Sequence, residues 1–340
     1  MTLLECPKLM EYGPCGGVRL DGSCEVSPHP CVFLETPTVR WHGGAEPGGA
    51  AQQSEGAVRM RGLLSTRQIV VADFPARALD AASIAECASA LTGRVDAVLA
   101  GDAGTARVQY SPSYRAHLIR SAGLDVWTGL NCRDRNGVAM EGELAGLAHV
   151  GVSGVHCVTG DHTLTGSRPD ARPVFDLDST EAAALARASG HLVSVAESPA
   201  APPVARRPSR LLEKQHAGAE LCFVNHCGGA AAVAAFVGAA RGVGVTMRFI
   251  PCVPIVVDRA SAELLRSFTT LVLPEGYLDR ILAARDPFAQ GVASAADLAR
   301  SLLAIDGVAG VNLSGGAGQG REAWFAEALA RISDELELVQ

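Results

Sequence analysis

The sequence has few aromatic residues and no long apolar segment. Aromatic residues make up 5% of the 340 residues, whereas hydrophobic residues make up 48%, so we expect a core built from aliphatic side chains. No apolar stretch approaches the roughly 18 residues that suggest a membrane-spanning helix. The N-terminus lacks the basic region and apolar run of a secretory signal. We therefore expect a cytoplasmic protein whose cysteines are reduced thiols or metal ligands.

Runs of basic charge are also absent. The chain has 29 basic and 36 acidic residues, a formal net charge of −7. An acidic chain without basic clusters is a poor match for nucleic acid or an anionic membrane surface. The expected partner is a small molecule, and assembly into a homo-oligomer is left open.

The first 41 residues contain four cysteines among glycines and prolines, followed by a segment, 42–64, that is interpreted as a linker. The cysteines have 8, 8 and 6 residues between them, so the paired Cys-x-x-Cys spacing of ordinary zinc sites is missing. Four thiolates can hold zinc tetrahedrally and so stabilise a segment too short for its own core. We predict one zinc at this set, with an iron–sulfur cluster or four buried thiols as alternatives. The four cysteines are Cys6, Cys15, Cys24 and Cys31.

From residue 65 to 335, short β-branched runs alternate with helical stretches, which indicates a parallel sheet. Eight alternations favour a closed (β/α)8 TIM barrel, and the lack of Gly-x-Gly-x-x-Gly after the first strand disfavours a dinucleotide-binding sheet. The long stretch 254–305 predicts two or three helices. The predicted strands are 68–74, 95–100, 125–132, 154–160, 191–198, 219–225, 246–252 and 308–314.

Polar residues at the carboxyl ends of the predicted strands are the first candidates for a site, because barrel enzymes carry their chemistry at that end. The alternative is that they are solvated loop residues. The candidates are Asp73, Asn131, Asp161, Glu197, Asn225, His226 and Ser314.

Four segments follow one another along the chain: VVADF (70–74), NCRDRN (131–136), VTGDH with VFDLDS (158–162 and 174–179) and EKQHAGAELCFVN (213–225). This ordered series resembles the methylenetetrahydrofolate reductase family. The resemblance implies hydride transfer from NADH or NADPH to 5,10-methylenetetrahydrofolate, which gives 5-methyltetrahydrofolate.

The resemblance also implies roles for individual residues. Asp161 matches an aspartate that contacts the pterin, and Asn225 stands at the position of a substrate-binding glutamine. Asp73 stands where the family has a glutamate that acts as general acid, so both aspartates are predicted to be catalytic. The folate bridge must open before it accepts hydride, and an acid near the pterin assists that opening. Asn131, Glu197 and His226 are the other predicted substrate contacts.

At three positions the chain differs from the flavin-dependent members of this family. The flavin-dependent members have His, Tyr and Arg where this chain has Gly129, Ser198 and Glu213, although Lys214 is retained. This pattern resembles the FAD-independent actinobacterial branch and implies direct hydride transfer without FAD. The alternative is a flavin held by backbone contacts.

Two further segments complete the prediction. CPKLMEYGPCGGVRLDGSCEVSPHPC (6–31) resembles the cysteine domain attached to some reductases of this family. GGAGQG (315–320) opens the last helix, and Gly315, Gly316 and Gly318 are predicted to bind the nucleotide phosphates, with a plain turn as the alternative. Two other functions are considered: a non-catalytic folate-binding or partner subunit, and a folate-dependent methyltransferase on the same barrel.

Overall fold

Eight parallel strands form a closed barrel in the computed structural model, which describes residues 6–43, 53–102 and 105–339. The barrel closes where the last strand pairs with both the first and the seventh. Its strands are β3 (Ile69–Asp73), β4 (Ala97–Ala100), β5 (Val126–Asn131), β6 (Gly154–Val158), β7 (Val193–Glu197), β8 (Leu221–Val224), β9 (Arg248–Pro254) and β10 (Gly310–Ser314). The predicted (β/α)8 TIM barrel is confirmed.

Helices pack against the barrel, most of them over the outward-facing residues of its strands. They are α1 (Glu55–Thr66), α2 (Ala81–Leu91), α3 (Pro112–Ser121), α4 (Gly137–Val150), α5 (Ser179–Ala188), α6 (Arg207–His216), α7 (Ala230–Gly242), α8 (Arg259–Arg266), α9 (Tyr277–Leu282), α10 (Pro287–Leu303) and α11 (Glu322–Leu336). The stretch 254–305 contains three of them, as predicted. β9 begins two residues later than predicted and ends at Pro254.

The N-terminal segment, residues 6–43, is called the arm. It contains a small antiparallel pair, β1 (Ser23–Cys24) and β2 (Ser27–Pro30), and a 3-10 turn at Val32–Leu34. It buries few large apolar side chains, namely Met10, Tyr12, Val18 and Phe33. The arm therefore depends on its contacts with the barrel.

Helix α1 corrects the interpretation of 42–64 as a linker; residues 44–52 of that range lie outside the described residues. Ser54 caps the helix by accepting a hydrogen bond from the Ala57 backbone N–H at 3.3 Å. The glycines of α1 lower its helix propensity, so the sequence pattern did not predict the helix. Gly56 is nevertheless required, because an added Cβ would lie 2.2 Å from the Gly151 carbonyl oxygen. The helix covers the amino-terminal end of the barrel.

Met60 of α1 is 1% exposed and belongs to the apolar cluster inside that end of the barrel. Met60→Ala is expected to lower the free energy of unfolding by about 2–5 kcal/mol, because it leaves a cavity in a closed layer. Urea unfolding measures the change. Val58→Ala on the same helix is the control, since Val58 is 54% exposed and its truncation should cost less than about 0.5 kcal/mol. Equal losses in the two variants would contradict a plugging role for α1.

No helix among the described residues is long and apolar enough to cross a membrane.

Candidate functional site at the barrel mouth

The mouth of the barrel is the end where the carboxyl ends of β3–β10 lie. Side chains alternate along a strand, and the lower inner layer includes Val71, Trp127 and Phe223. Residues two positions further along these strands therefore face the same interior. They are Asp73, Gly129 and Asn225. Asn131, two residues after Gly129 on β5, faces the same way. The alternation thus directs the predicted acid and two predicted substrate contacts into the mouth.

Asp73 is half-buried and accepts hydrogen bonds from residues of β10 and the loop after it. Asn312 Nδ2 donates to Asp73 Oδ1 at 2.9 Å, and the Gly315 backbone N–H donates to Oδ2 at 3.1 Å. Burial raises the pKa of Asp73 above its ordinary value, although these hydrogen bonds oppose the change. A carboxyl group with a raised pKa in a mouth can serve as an acid.

Asn131 belongs to a charged network that the sequence did not indicate. Its Nδ2 donates to Asp102 Oδ1 at 3.1 Å, and Arg133 Nη1 lies 2.7 Å from Asp102 Oδ2. Arg133 is fully buried and also pairs with Asp134 at 2.7 Å. Arg133 stands within the NCRDRN motif, but Asp102 follows β4 without a motif of its own. The network fixes Asn131 and leaves its buried Oδ1 without a partner among the described residues.

Asn225 and His226 follow β8. Asn225 Nδ2 donates to Ser198 Oγ at 2.9 Å. His226 is 7% exposed, and neither of its ring nitrogens has a hydrogen-bond partner among the described residues. Burial lowers the pKa of His226 to about 4, so the ring is neutral at pH 7. The His226 ring stacks on the Phe268 ring, with 6.1 Å between the ring centroids.

Glu197 differs from the prediction that it contacts substrate. Glu197 lies on the same face of β7 as Val193 and Val195, which pack outward against the helices. It is 2% exposed. Its Oε1 lies 3.1 Å from Arg207 Nη1 and its Oε2 2.9 Å from Lys214 Nζ. Burial works to raise the pKa of Glu197, but the two cations outweigh it and the net pKa is lowered. The geometry favours a structural role.

Asp161 lies in the loop after β6, where its side chain is 62% exposed and 3.9 Å from Arg107. The arm touches this loop on both sides of Asp161, through Lys8 to Gly160 and through Glu25 to His162. The arm also reaches Arg207 of α6, which pairs with Glu197 at the end of β7 and donates from Nη1 to the Cys15 carbonyl oxygen at 3.1 Å. The sequence did not indicate that arm and mouth meet.

The glycines after β10 are closely packed. The Gly315 N–H is committed to Asp73, and an added Cβ at Gly316 would lie 2.5 Å from Leu264 Cδ2. Gly318 lies against Ala260. The first turn of α11 carries Glu322, whose carboxylate is 2.8 Å from Arg77. Phosphate binding at this loop stays a prediction.

The four arm cysteines, which were predicted to bind zinc, lie close together. Burial raises the pKa of Cys31 to about 11, and the three other arm cysteines act in the same direction, so the four thiols are neighbours. Among residues 6–43, 53–102 and 105–339, however, no three His, Cys, Asp or Glu side chains are arranged to hold a metal ion. The zinc therefore stays a prediction, which elemental analysis of purified protein tests.

A family model described as "Methylene-tetrahydrofolate reductase C terminal" matches residues 2–40. The match supports the resemblance noted for the cysteine segment. It covers the arm and not the barrel, so the family of the barrel is not shown by it. No curated protein matches the chain.

Solved structures similar to this chain include enzymes with barrel folds. Oxaloacetate acetylhydrolase is 13% identical with a TM-score of 0.44, covering 66% of this chain and 81% of its own. A 2,3-dimethylmalate lyase of the PEP mutase/isocitrate lyase superfamily is 13% identical with a TM-score of 0.46, covering 77% and 78%. Similarity at this level assigns no chemistry.

Proposed function

We propose that this chain is a methylenetetrahydrofolate reductase-like oxidoreductase that transfers hydride from NADH or NADPH to 5,10-methylenetetrahydrofolate. The observation that carries the proposal is the half-buried Asp73 carboxyl, with its raised pKa, in a mouth that Asn131 and Asn225 also face. The ordered resemblance of the strand-end segments and the family match of the arm support it. Cytoplasmic location is part of the proposal, and assembly into a homo-oligomer stays open.

The reaction gives each residue a task. The bridging methylene opens to an iminium at N5, and Asp73 donates the proton that N10 takes up as its bond to the methylene breaks. The nicotinamide supplies a hydride to the methylene carbon, which becomes the methyl group on N5. Asp161 and Asn225 hold the pterin, and Asn131 is fixed beside it by Asp102. The amide of Asn225 binds and does not transfer a proton, because an amide is not an acid at neutral pH.

The surroundings of the three departures support transfer without flavin. An added Cβ at Gly129 would lie 2.7 Å from Gly101 Cα, so a large side chain does not fit there. Ser198 is bonded to Asn225 and lies beneath arm residue Gly16, whose added Cβ would be 3.1 Å from Ser198 Oγ. Glu213 accepts a hydrogen bond from the arm backbone at Trp41 N, at 2.7 Å. The arm thus occupies space beside two of these positions.

Purified protein is expected to lack flavin absorption and to oxidise NADH or NADPH only when methylenetetrahydrofolate is present. Absorption spectroscopy and a nicotinamide oxidation assay, each with and without added FAD, test this. Rates that are equal with and without FAD are the expected result. One FAD per chain, or activity that requires added FAD, would contradict the flavin-free part and leave the reductase part standing.

The arm lying over the ends of β6 and β7 also favours a second candidate, a non-catalytic folate-binding or partner subunit. A partner subunit should bind folate and oxidise no nicotinamide nucleotide, whether or not flavin is added. A direct folate titration beside the oxidation assay separates the two candidates. The methyltransferase alternative has no observation of its own in its favour.

A further inference from the structure

The arm inserts a buried ion pair above the β6 loop. Lys8 Nζ and Glu25 Oε1 are 2.7 Å apart, and each side chain is 4% exposed. Two buried charges are costly unless each has further hydrogen bonds. Both partners here have such bonds, and those bonds lead to the barrel rather than to the arm.

The two further bonds fall on either side of Asp161. Lys8 Nζ donates to the Gly160 carbonyl oxygen at 2.7 Å. The His162 backbone N–H donates to Glu25 Oε1 at 2.9 Å. One ion pair therefore holds the backbone directly before and directly after the exposed carboxylate.

On its barrel side the loop is held by Arg133 Nη1, which donates to the Asp161 carbonyl oxygen at 3.3 Å, and by the Ser179 backbone N–H, which donates to Thr159 Oγ1 at 3.2 Å. It lies between the end of β6 and a 3-10 turn at Thr163–Thr165. Gly160 has φ of +87°, and an added Cβ would lie 2.9 Å from Asn131 Cβ. The loop thus rests on Asn131 below and on the arm above.

The arm is shaped to admit the Glu25 side chain. An added Cβ at Gly17 would lie 2.2 Å from Glu25 Oε2, and Gly17 does not have a left-handed backbone. Glycine is therefore needed at position 17 for space, not for conformation. This gives a substitution that displaces the Glu25 carboxylate and leaves both charges in the chain.

We propose that Lys8 and Glu25 are positioning residues that fix Asp161 for its ligand, so that the arm is part of the binding site. The hold on the loop follows from the contacts alone. The consequence for folate rests on the proposed function, since Asp161 is assigned to the pterin there.

The test uses the full chain and the variants Lys8→Met and Gly17→Ala. Hydrogen exchange of a peptide covering 158–164 reports the loop without reference to activity. Each charge-assisted hydrogen bond changes an equilibrium roughly tenfold or more, so we expect exchange at least about tenfold faster in both variants. The affinity of both variants for methylenetetrahydrofolate should be lower by a factor of about 10 or more, with KM raised and kcat changed little.

Arg61→Met is the matched control. Arg61 pairs with Glu220 at 2.7 Å at the opposite end of the barrel, so its loss should leave both the loop exchange and folate binding unchanged. Exchange of a peptide covering 206–214 shows whether the arm stays docked on α6. If Lys8→Met releases the whole arm, Gly17→Ala decides the question.

The outcomes separate the two claims. Unchanged exchange at 158–164 in Gly17→Ala would overturn the positioning role. Faster exchange with unaltered folate binding would leave Lys8 and Glu25 holding the loop, but would overturn the link to the ligand and the pterin role of Asp161. A loss of kcat with no change in KM would also count against positioning.

Discussion

Asp73→Asn is expected to reduce kcat by a factor of about 10² to 10⁴, the usual loss when a general acid is removed, with little change in folate affinity. The substitution keeps the size of the side chain and replaces the carboxyl group with an amide, which is not an acid at neutral pH. The site should accept the new amide, because Asn312 Oδ1 has no partner among the described residues and an amide rotation can turn it toward position 73. Stopped-flow or steady-state oxidation of NADH, beside a folate titration, measures both quantities.

The pH dependence of the same variant checks the assignment. An acid must be protonated, so the wild-type rate should fall as pH rises through the raised pKa of Asp73. A carboxyl group whose folded pKa is raised makes the fold less stable as the pH rises from its unfolded pKa to its folded pKa. Asp73→Asn should therefore be no less stable than wild type at pH 7. Lower stability would indicate that the site does not accept the amide.

Asp334→Asn is the control for this prediction. Asp334 pairs with Arg94 on the surface, 52% exposed and away from the mouth, and its substitution should leave kcat unchanged. If Asp73→Asn retains near wild-type kcat, the proton comes from another group. Glu197, with its lowered pKa and two cationic partners, is then a poor substitute.

Glu197→Gln is expected to lower the free energy of unfolding at pH 7 by about 3–5 kcal/mol, because it leaves Arg207 and Lys214 buried without their counter-charge. Glu220→Gln is the matched control. Glu220 also lies between two arginines, Arg61 and Arg187, but it is 29% exposed, and such pairs contribute about 1 kcal/mol or less. Urea unfolding of the two variants measures the contrast.

The stabilisation by Glu197 has a defined pH range. Its folded pKa is lowered, so the contribution is present above the ordinary carboxyl value of about 4.3 and is lost as pH falls through the folded pKa. The difference between wild type and Glu197→Gln should therefore shrink in acid. Adding Lys214→Met to Glu197→Gln should recover part of the loss, since it removes one uncompensated cation. Equal stabilities of Glu197→Gln and Glu220→Gln would show that the pair is not buried in solution.

The barrel could be predicted because each strand carries its own local signal. β-branched runs bounded by glycine and polar residues fix where a strand lies, and alternation within the run then directs Asp73 and Asn225 inward. Glu197 shows where the signal fails. Both faces of β7 are buried, with Val193 and Val195 against the helices and Ser194 inside the barrel, so the sequence did not reveal that Glu197 at the end of this strand points outward at α6.

The arm contacts could not be predicted for a different reason. Lys8 and Glu25 meet the β6 loop across 152 and 137 residues of sequence. No periodicity links positions so far apart, and a lysine in a glycine- and proline-rich segment reads as a solvated surface residue. Helix α1 was missed because Gly56 weakens the helical pattern at the place where the fold needs a close approach.

Synthesis on the ribosome proceeds from the N-terminus, so the arm emerges before the barrel residues that contact it. Lys8 acquires its carbonyl partner only when Gly160 has left the exit tunnel, and Cys15 meets Arg207 later still. At about 5–20 residues per second, the interval between the synthesis of Cys15 and that of Arg207 is roughly 10 to 40 s. Throughout that time the four arm thiols are open to oxidation, to cellular metal ions and to chaperones. A nascent chain stalled near residue 150 should therefore present more reactive cysteines than the finished protein, in which all four are partly covered.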